Sequence, residues 1–256
     1  MCRLFGLTAA PARITATFWL AEAPYRDTAF AREAREVSST TFLAHVRYAT
    51  TGALRTANTH PFLQDGRLFA HNGVIAGLDR LDDKISDELR APAAELVKGD
   101  TDSERVFALI TAGIRRHGDV KQGIVDAVNW IAANLPVYAL NLILTTPTDL
   151  WALRYPATNP LFVLSRPAGG PTGTRGLDHR GRPGTIRARS SDLAGAAATI
   201  VATERMDDDP GWRPLAPGEL LHVSSSQHVT QQTILTGPPA YPLTLAELGT
   251  SNRQDR

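Results

Sequence analysis

The sequence predicts a layered α+β fold, on three observations. Strand-like segments fall in two groups, one ending near residue 73 and one beginning near residue 138. Two amphipathic helical segments lie together between the groups instead of alternating with single strands, which argues against repeating βαβ units. The chain has 256 residues, 43% of them hydrophobic, enough to bury one sizeable core.

The elements follow in chain order. Leu4 to Leu7 reads as a short buried strand near the start of the chain. Asp27 to Val37 reads as a helix, since Phe30, Ala34 and Val37 share one face. Thr41 to Tyr48 alternates Phe42, Ala44 and Val46 as a strand does. Arg67 to His71 is a further strand, ending at Asn72-Gly73, a turn dipeptide. Thr101-Asp102-Ser103-Glu104 has the spacing of a capping box. It opens a helix running to about His117, with Val106, Leu109, Ile110 and Ile114 as its apolar stripe. Asp119 to Leu135 forms the second central helix. Tyr138 to Thr146, Asp149 to Arg154 and Leu161 to Leu164 read as strands. Pro167 to Gly184, rich in Gly, Pro and Arg, reads as a long surface loop. Strands resume at Thr199 to Thr203, Leu220 to Val223 and Val229 to Leu235. The tail from about Gly249 is expected to be loose. Neither a repeat nor a linker interrupts the pattern, so residues 1–256 are read as one domain.

Composition narrows the function. Lys plus Arg number 27 and Asp plus Glu 26, a formal net charge of +1, which argues against a broad nucleic-acid-binding face. No apolar run reaches the ~18–20 residues of a membrane span, and the start of the chain lacks the apolar core of a signal peptide, so the expected compartment is the cytoplasm. The single cysteine, Cys2, can form neither an internal disulfide nor a cysteine-rich metal site. His45, His60 and His71 lack the helical H-x-x-x-H spacing of a metal site. The glycines of residues 169–184 lack the strand-to-helix context of a phosphate cradle. Neither a metal nor a cofactor is expected.

Cys2 is the residue whose position needs explaining. Removal of Met1 ahead of a small second residue leaves a thiol and a free α-amine on one residue. Their reference pKa values are about 8.5 and about 7.7–8.0, so the amine can take the thiol proton and no partner histidine is required. A small incidental cysteine is the plainer alternative. Arg47 ends a predicted strand and could grip a carboxylate bidentately, or simply reach solvent. Asn72 and Gly73 offer an amide side chain beside an approachable backbone N–H, two donors of the kind that form an oxyanion hole, although an isolated Asn-Gly is more often only a turn. Asp102 could pair with a substrate ammonium, or serve the helix dipole alone. Taken together, these groups suit an amino-acid amide held by its α-carboxylate and α-amine, with the side-chain amide at the thiol.

This ordered set resembles the class II glutamine amidotransferases, which are N-terminal-nucleophile hydrolases. Met1-Cys2-Arg3-Leu4-Phe5-Gly6 is similar to their opening, His45-Val46-Arg47-Tyr48-Ala49-Thr50 to their H-x-R-[W/Y]-A-T motif, His71-Asn72-Gly73 to H-N-G and Thr101-Asp102-Ser103-Glu104 to T-D-[ST]-E. The resemblance implies a four-layer αββα sandwich. It implies Cys2 as nucleophile, Asn72 with Gly73 as oxyanion hole, Arg47 binding the substrate α-carboxylate, Asp102 its α-amine, and Thr50 lining the same pocket. Residues 201–205 and 207–212 resemble stand-alone members, among them the γ-glutamyl hydrolase of ergothioneine biosynthesis. The D-G-x-G-x-G segment usual in the family is absent after Leu20, which implies a missing hairpin. Thr51 stands where ammonia-channelling members often carry histidine. The resulting expectation is a hydrolase of γ-glutamyl amides acting on a small-molecule substrate. The alternatives are a glutaminase subunit feeding ammonia to a separate synthase, and an inactive binding or scaffold protein.

Overall fold

The computed structural model describes residues 3–20, 37–46, 55–180 and 186–251. Seven strands precede the helices: β1 (Arg3–Thr8), β2 (Ile14–Thr15), β3 (Thr17–Leu20), β4 (Ser38–Ser39), β5 (Thr41–Val46), β6 (Phe62–Gln64) and β7 (Arg67–Ile75). Three helices follow, α1 (Leu78–Leu89), α2 (Asp102–His117) and α3 (Val120–Asn134). Then come β8 (Pro136–Thr145), β9 (Leu150–Arg154), β10 (Phe162–Arg166), β11 (Leu177–Arg180), β12 (Ile186–Ser190), β13 (Ala198–Ala202), β14 (Arg213–Pro214), β15 (Glu219–Val223), β16 (Val229–Thr233) and β17 (Tyr241–Pro242), with α4 (Leu245–Ser251) last.

Side-chain alternation along β1 sets the layers. Leu4 and Gly6 face a second sheet, while Phe5 and Leu7 face the opposite way. The sheet containing β1 has the order β14-β10-β13-β1-β5, and the larger one runs β16-β15-β9-β8-β7-β6, with β17 beside β8. Leu4, Val163 and Val201 of the first sheet meet Ala70, Ile143 and Leu221 of the second in a closed apolar layer. Gly6 is required by this approach: a Cβ there would lie 3.0 Å from Ile143 Cγ2. The other face of the larger sheet carries Phe69, Leu142 and Leu144 against Leu81, Phe107, Ile110 and Ile131 of the helices. The Phe69 and Phe107 rings stack 4.9 Å apart. Each such fully buried side chain contributes about 1.5–3 kcal/mol. The far face of the β1 sheet is covered by Leu177 and Ala188, from a three-stranded sheet of order β11-β12-β3.

The central helices lie where the sequence predicts. Thr101 caps α2 by accepting the Glu104 N–H at 3.2 Å, and Asp119 caps α3 by accepting from Gln122. Gly113 and Gly123 let these helices approach closely, for a Cβ on Gly113 would sit 3.1 Å from the Gly123 Cα.

Several expectations need correction. Asn72-Gly73 is no turn: β7 continues through both residues to Ile75, pairing Asn72 with Asn141 and Gly73 with Leu140. A third helix, α1, adds to the two expected ones, with Leu78, Leu81, Ile85 and Leu89 marking its apolar face. The expected loop at 167–184 contains β11. It is organised by the Arg166 guanidinium, only 5% exposed, which donates to the carbonyls of Leu193 and Gly176 at 2.7 and 3.0 Å. A strand at Thr17–Leu20 pairs with β12. The expected loose tail begins inside α4, and residues 252–256 lie outside those described. Val37 is not helical; the rest of the helix expected at 27–37, and the segment expected to lack a hairpin after residue 20, also lie outside the described residues.

Candidate active site

Three of the six expected site residues are described: Asn72, Gly73 and Asp102. Cys2, Arg47 and Thr50 lie outside the described residues. The geometry of the three begins with β7. Phe69 packs under the helices and Ala70 between the sheets, so alternation assigns His71 and Gly73 to the helix face and Asn72 to the inter-sheet face.

Hydrogen-bond phase fixes where the Gly73 N–H points. Leu140 N–H donates to Tyr155 O, on the β9 side, at 2.6 Å. Its partner across β7, Gly73, therefore occupies a position whose N–H and C=O are directed away from β8. They are directed to the edge along which β6 runs, and β6 pairs with β7 only from Phe69 back to Arg67. Gly73 is also sterically obligatory. A Cβ there would lie 1.8 Å from Ala139 O and 2.6 Å from His71 Nε2.

Asp102 meets the same edge two residues further on. The β7–β8 register shifts between Val74 and Ile75, and the Ile75 N–H donates to Asp102 Oδ2 at 3.0 Å. Asp102 Oδ1 accepts the Ser103 N–H at 2.8 Å. The carboxylate thus ties the N-terminus of α2 to the end of β7, and the positive end of the helix dipole favours its charge. N–H groups of residues i and i+2 on one strand edge are spaced about 7 Å apart.

His71 buttresses this junction from behind. It is 2% exposed. Nε2 faces the Ala139 carbonyl at 3.4 Å and Nδ1 lies 3.0 Å from Ser103 Oγ. A carbonyl can only accept, so in the neutral ring the proton belongs on Nε2, and Nδ1 shares the Ser103 hydroxyl with Asp102 Oδ1, 3.3 Å from it. Burial pushes the imidazole below its ordinary value, with the Asp102 carboxylate opposing the shift.

The segment around Asn58 is pinned by a second polar set that the sequence does not announce. Asn58, fully buried, accepts the Asp100 N–H at 2.9 Å. Glu104, beyond its place in the capping box, accepts the backbone N–H groups of Lys98 and Gly99 at 3.0 and 2.6 Å. The His45 and His60 rings lie 4.1 Å apart, and His60 meets Phe62 edge-on. Among the described residues, no group of three His, Cys, Asp or Glu side chains could hold a metal ion. None of their helices is long and apolar enough to cross a membrane.

An open pocket of about 470 Å3 is lined by Phe162, Thr203, Glu204, Arg205 and Asp207–Pro210. Two of these residues hold the chain next to position 2: Thr203 N–H donates to Leu4 O at 3.2 Å, and Arg3 pairs with Glu204 at 3.5 Å. The Arg205 guanidinium lies 5.5 Å from the Phe162 ring centroid.

Two antiparallel sheets face to face, helices against one of them and a strand from the very start of the chain in the other form an N-terminal-nucleophile hydrolase fold of the glutamine amidotransferase kind. The sequence profile of the class-II glutamine amidotransferases matches residues 11–240, and the chain belongs to that family. The probable glutamine amidotransferase DUG3 of Saccharomyces cerevisiae is 36% identical over 76 residues, 30% of this chain and 21% of that protein. A candidate glutamine amidotransferase of Haemophilus influenzae is 23% identical over 204 residues, 76% of this chain and 64% of its own length. The chain thus spans less than two thirds of either relative. A crystal structure of a predicted glutamine amidotransferase from Pseudomonas aeruginosa superposes with a TM-score of 0.66 at 19% identity, covering 90% of this chain and all of that one.

Proposed function

We propose that this chain hydrolyses γ-glutamyl amides through a thioester on Cys2. The observation that carries the reading is the edge of β7, where the Gly73 N–H and the Asp102 carboxylate stand two residues apart. A γ-glutamyl group has its carbonyl and its α-ammonium at opposite ends of a short chain, and a strand edge with an N–H donor and, two residues on, a carboxylate suits both ends at once. In sequence, position 2 is in phase with Leu4 and Gly6, which belong to the inter-sheet face shared by Ala70 and Asn72.

The chemistry then follows from the residues. The Cys2 α-amine takes the thiol proton, and the thiolate adds to the γ-carbonyl carbon. The carbonyl π pair moves to oxygen, where the Asn72 amide and the Gly73 N–H stabilise it. Collapse expels the amine, which leaves with the proton held by the Cys2 ammonium. Water, deprotonated by the same amine, hydrolyses the thioester and frees glutamate. Arg47 holds the substrate α-carboxylate, Asp102 the α-ammonium, and Thr50 lines the pocket. Each step uses a group of the chain itself, so the reading invokes no cofactor or metal. Residues 1–256 act as one domain in the cytoplasm, on a small molecule and not on a nucleic acid or a membrane.

The competing reading is a subunit that feeds ammonia to a synthase, and one assay separates the two. The test is amine release from γ-glutamyl-para-nitroanilide beside ammonia release from glutamine, with Cys2→Ala as control. The reading expects loss of turnover in the variant and a higher kcat/KM for the substituted amide. Equal turnover by Cys2→Ala removes it, and a strong preference for glutamine with stimulation by a copurifying synthase supports the ammonia-supplying alternative.

A further inference from the structure

We infer that Thr203 is a positioning residue for the amino-terminal nucleophile, its hydroxyl fixing the chain two residues from Cys2; this rests on the amide-hydrolase reading above. The β1–β13 ladder pairs Phe5 with Ala202 as its last regular rung. One further rung follows, and it is unusual. Thr203 N–H donates to Leu4 O at 3.2 Å, as in an ordinary antiparallel pair. The return bond is different: Leu4 N–H donates to the Thr203 side-chain Oγ1 at 3.4 Å. A hydroxyl thus stands in for the backbone carbonyl at the point where the chain leaves the sheet. Thr203 is buried, so a Leu4 N–H without that acceptor would carry a desolvation cost and would shift to recover a partner.

The hydroxyl can hold Leu4 only if its own segment is fixed, and Asp207 fixes it. One carboxylate oxygen lies 2.7 Å from His179 Nδ1. The other accepts the Trp212 indole N–H at 2.6 Å and the Asp209 N–H at 3.2 Å. His179 and Trp212 are both buried, so the pin is anchored in the apolar layer outside the β1 sheet. At the near end, Glu204 pairs with Arg3 across 3.5 Å. Consecutive residues 203 and 204 therefore hold consecutive residues 4 and 3, and residue 2 comes next in the chain. Displacing a reacting group by about 1 Å costs on the order of 100-fold in rate, so a single lost rung at this place is expected to reach the chemistry.

Cys2 is the only cysteine in the chain, so iodoacetamide labelling reads this thiol alone and needs no substrate. We would measure the labelling rate from pH 5 to 9 for the unmodified sequence, Thr203→Val and Thr203→Ser, with melting curves for each. The parent protein is expected to label with an apparent pKa well below the ~8.5 of a free thiol. Thr203→Val should move the profile towards the free value and slow labelling at pH 7 roughly tenfold. Thr203→Ser, which keeps the oxygen, should stay within about twofold of the parent. If Thr203→Val does not fold, Thr203→Ala is measured in its place, with the same expectation. A parent profile like that of a free thiol defeats the amide-hydrolase reading itself. An activated thiol in the parent that is unchanged in Thr203→Val, or lost equally in Thr203→Ser, overturns the role of the Thr203 hydroxyl and leaves the hydrolase reading standing.

Discussion

Gly73→Ala separates what the backbone at this position does from what its side chain forbids. Alanine keeps the N–H, so a purely chemical account of Gly73 expects little change. The geometry expects a large one. The added Cβ would lie 1.8 Å from Ala139 O and 2.4 Å from its carbonyl carbon. An ordinary C···O contact is about 3.3 Å or more, so β7 and β8 must part by about 1.5 Å at the centre of the larger sheet. Overpacking costs up to about 3 kcal/mol, and loss of the His71 bond to Ala139 adds about 1 kcal/mol. At about 2–4 °C per kcal/mol for a chain of this size, Tm should fall by roughly 10 °C. Gly118→Ala is the control: its φ of 70° is left-handed, yet no atom lies within 4 Å of the added carbon. That change should cost about 1 kcal/mol and only about 2–4 °C. Thermal melts of both variants, with turnover of γ-glutamyl-para-nitroanilide, decide the matter. A Gly73→Ala protein as stable as Gly118→Ala and fully active would refute the steric argument.

Two further predictions concern the residues around that strand edge. Asp102→Asn keeps one oxygen for the Ile75 or the Ser103 N–H but sets its NH2 against the other, so stability should fall by about 1–3 kcal/mol while KM for a γ-glutamyl amide rises about 10-fold or more; steady-state kinetics with an unchanged KM would show that the carboxylate serves only the helix. Burial lowers the His71 and His179 imidazoles below their ordinary values against the raising influence of Asp102 and Asp207, so the unfolded chain takes up protons first on acidification. The stability they contribute is complete above about pH 6.5 and is lost as pH falls below it, by up to about 1.4 kcal/mol per pH unit for each ring; denaturant midpoints from pH 7 to 5 should show the decline, His71→Gln should make it shallower, and a rise on acidification would contradict the assignment.

Much of the fold was legible because its signals are local. The α2 boundaries follow from the Thr101 cap and the Val106, Leu109, Ile110, Ile114 stripe, and α3 follows from Asp119 in the same way. Asn72-Gly73 misled for a physical reason. The dipeptide favours a tight turn in isolation, but here the glycine is required by the close passage of Ala139 O, a contact with a strand some 65 residues away that no local pattern reveals. The Gly73 N–H therefore belongs to a strand edge along which, among the described residues, β6 pairs only up to Phe69. α1 has only a weak local signal: its first turns are crowded with Asp and Arg and its N-cap is Gly77, which offers no side-chain cap. The roles of Thr203 and Asp207 were out of reach for a similar reason: their partners Leu4 and His179 are distant in sequence.

The central claim is that Cys2 carries the γ-glutamyl group, and intact-mass measurement of the protein during turnover of γ-glutamyl-para-nitroanilide, quenched in acid, tests it most directly. The account predicts a chain without Met1 that carries one γ-glutamyl group on Cys2, and no such species in Cys2→Ala. Turnover that continues in Cys2→Ala, or a fully active chain that retains Met1, would contradict it.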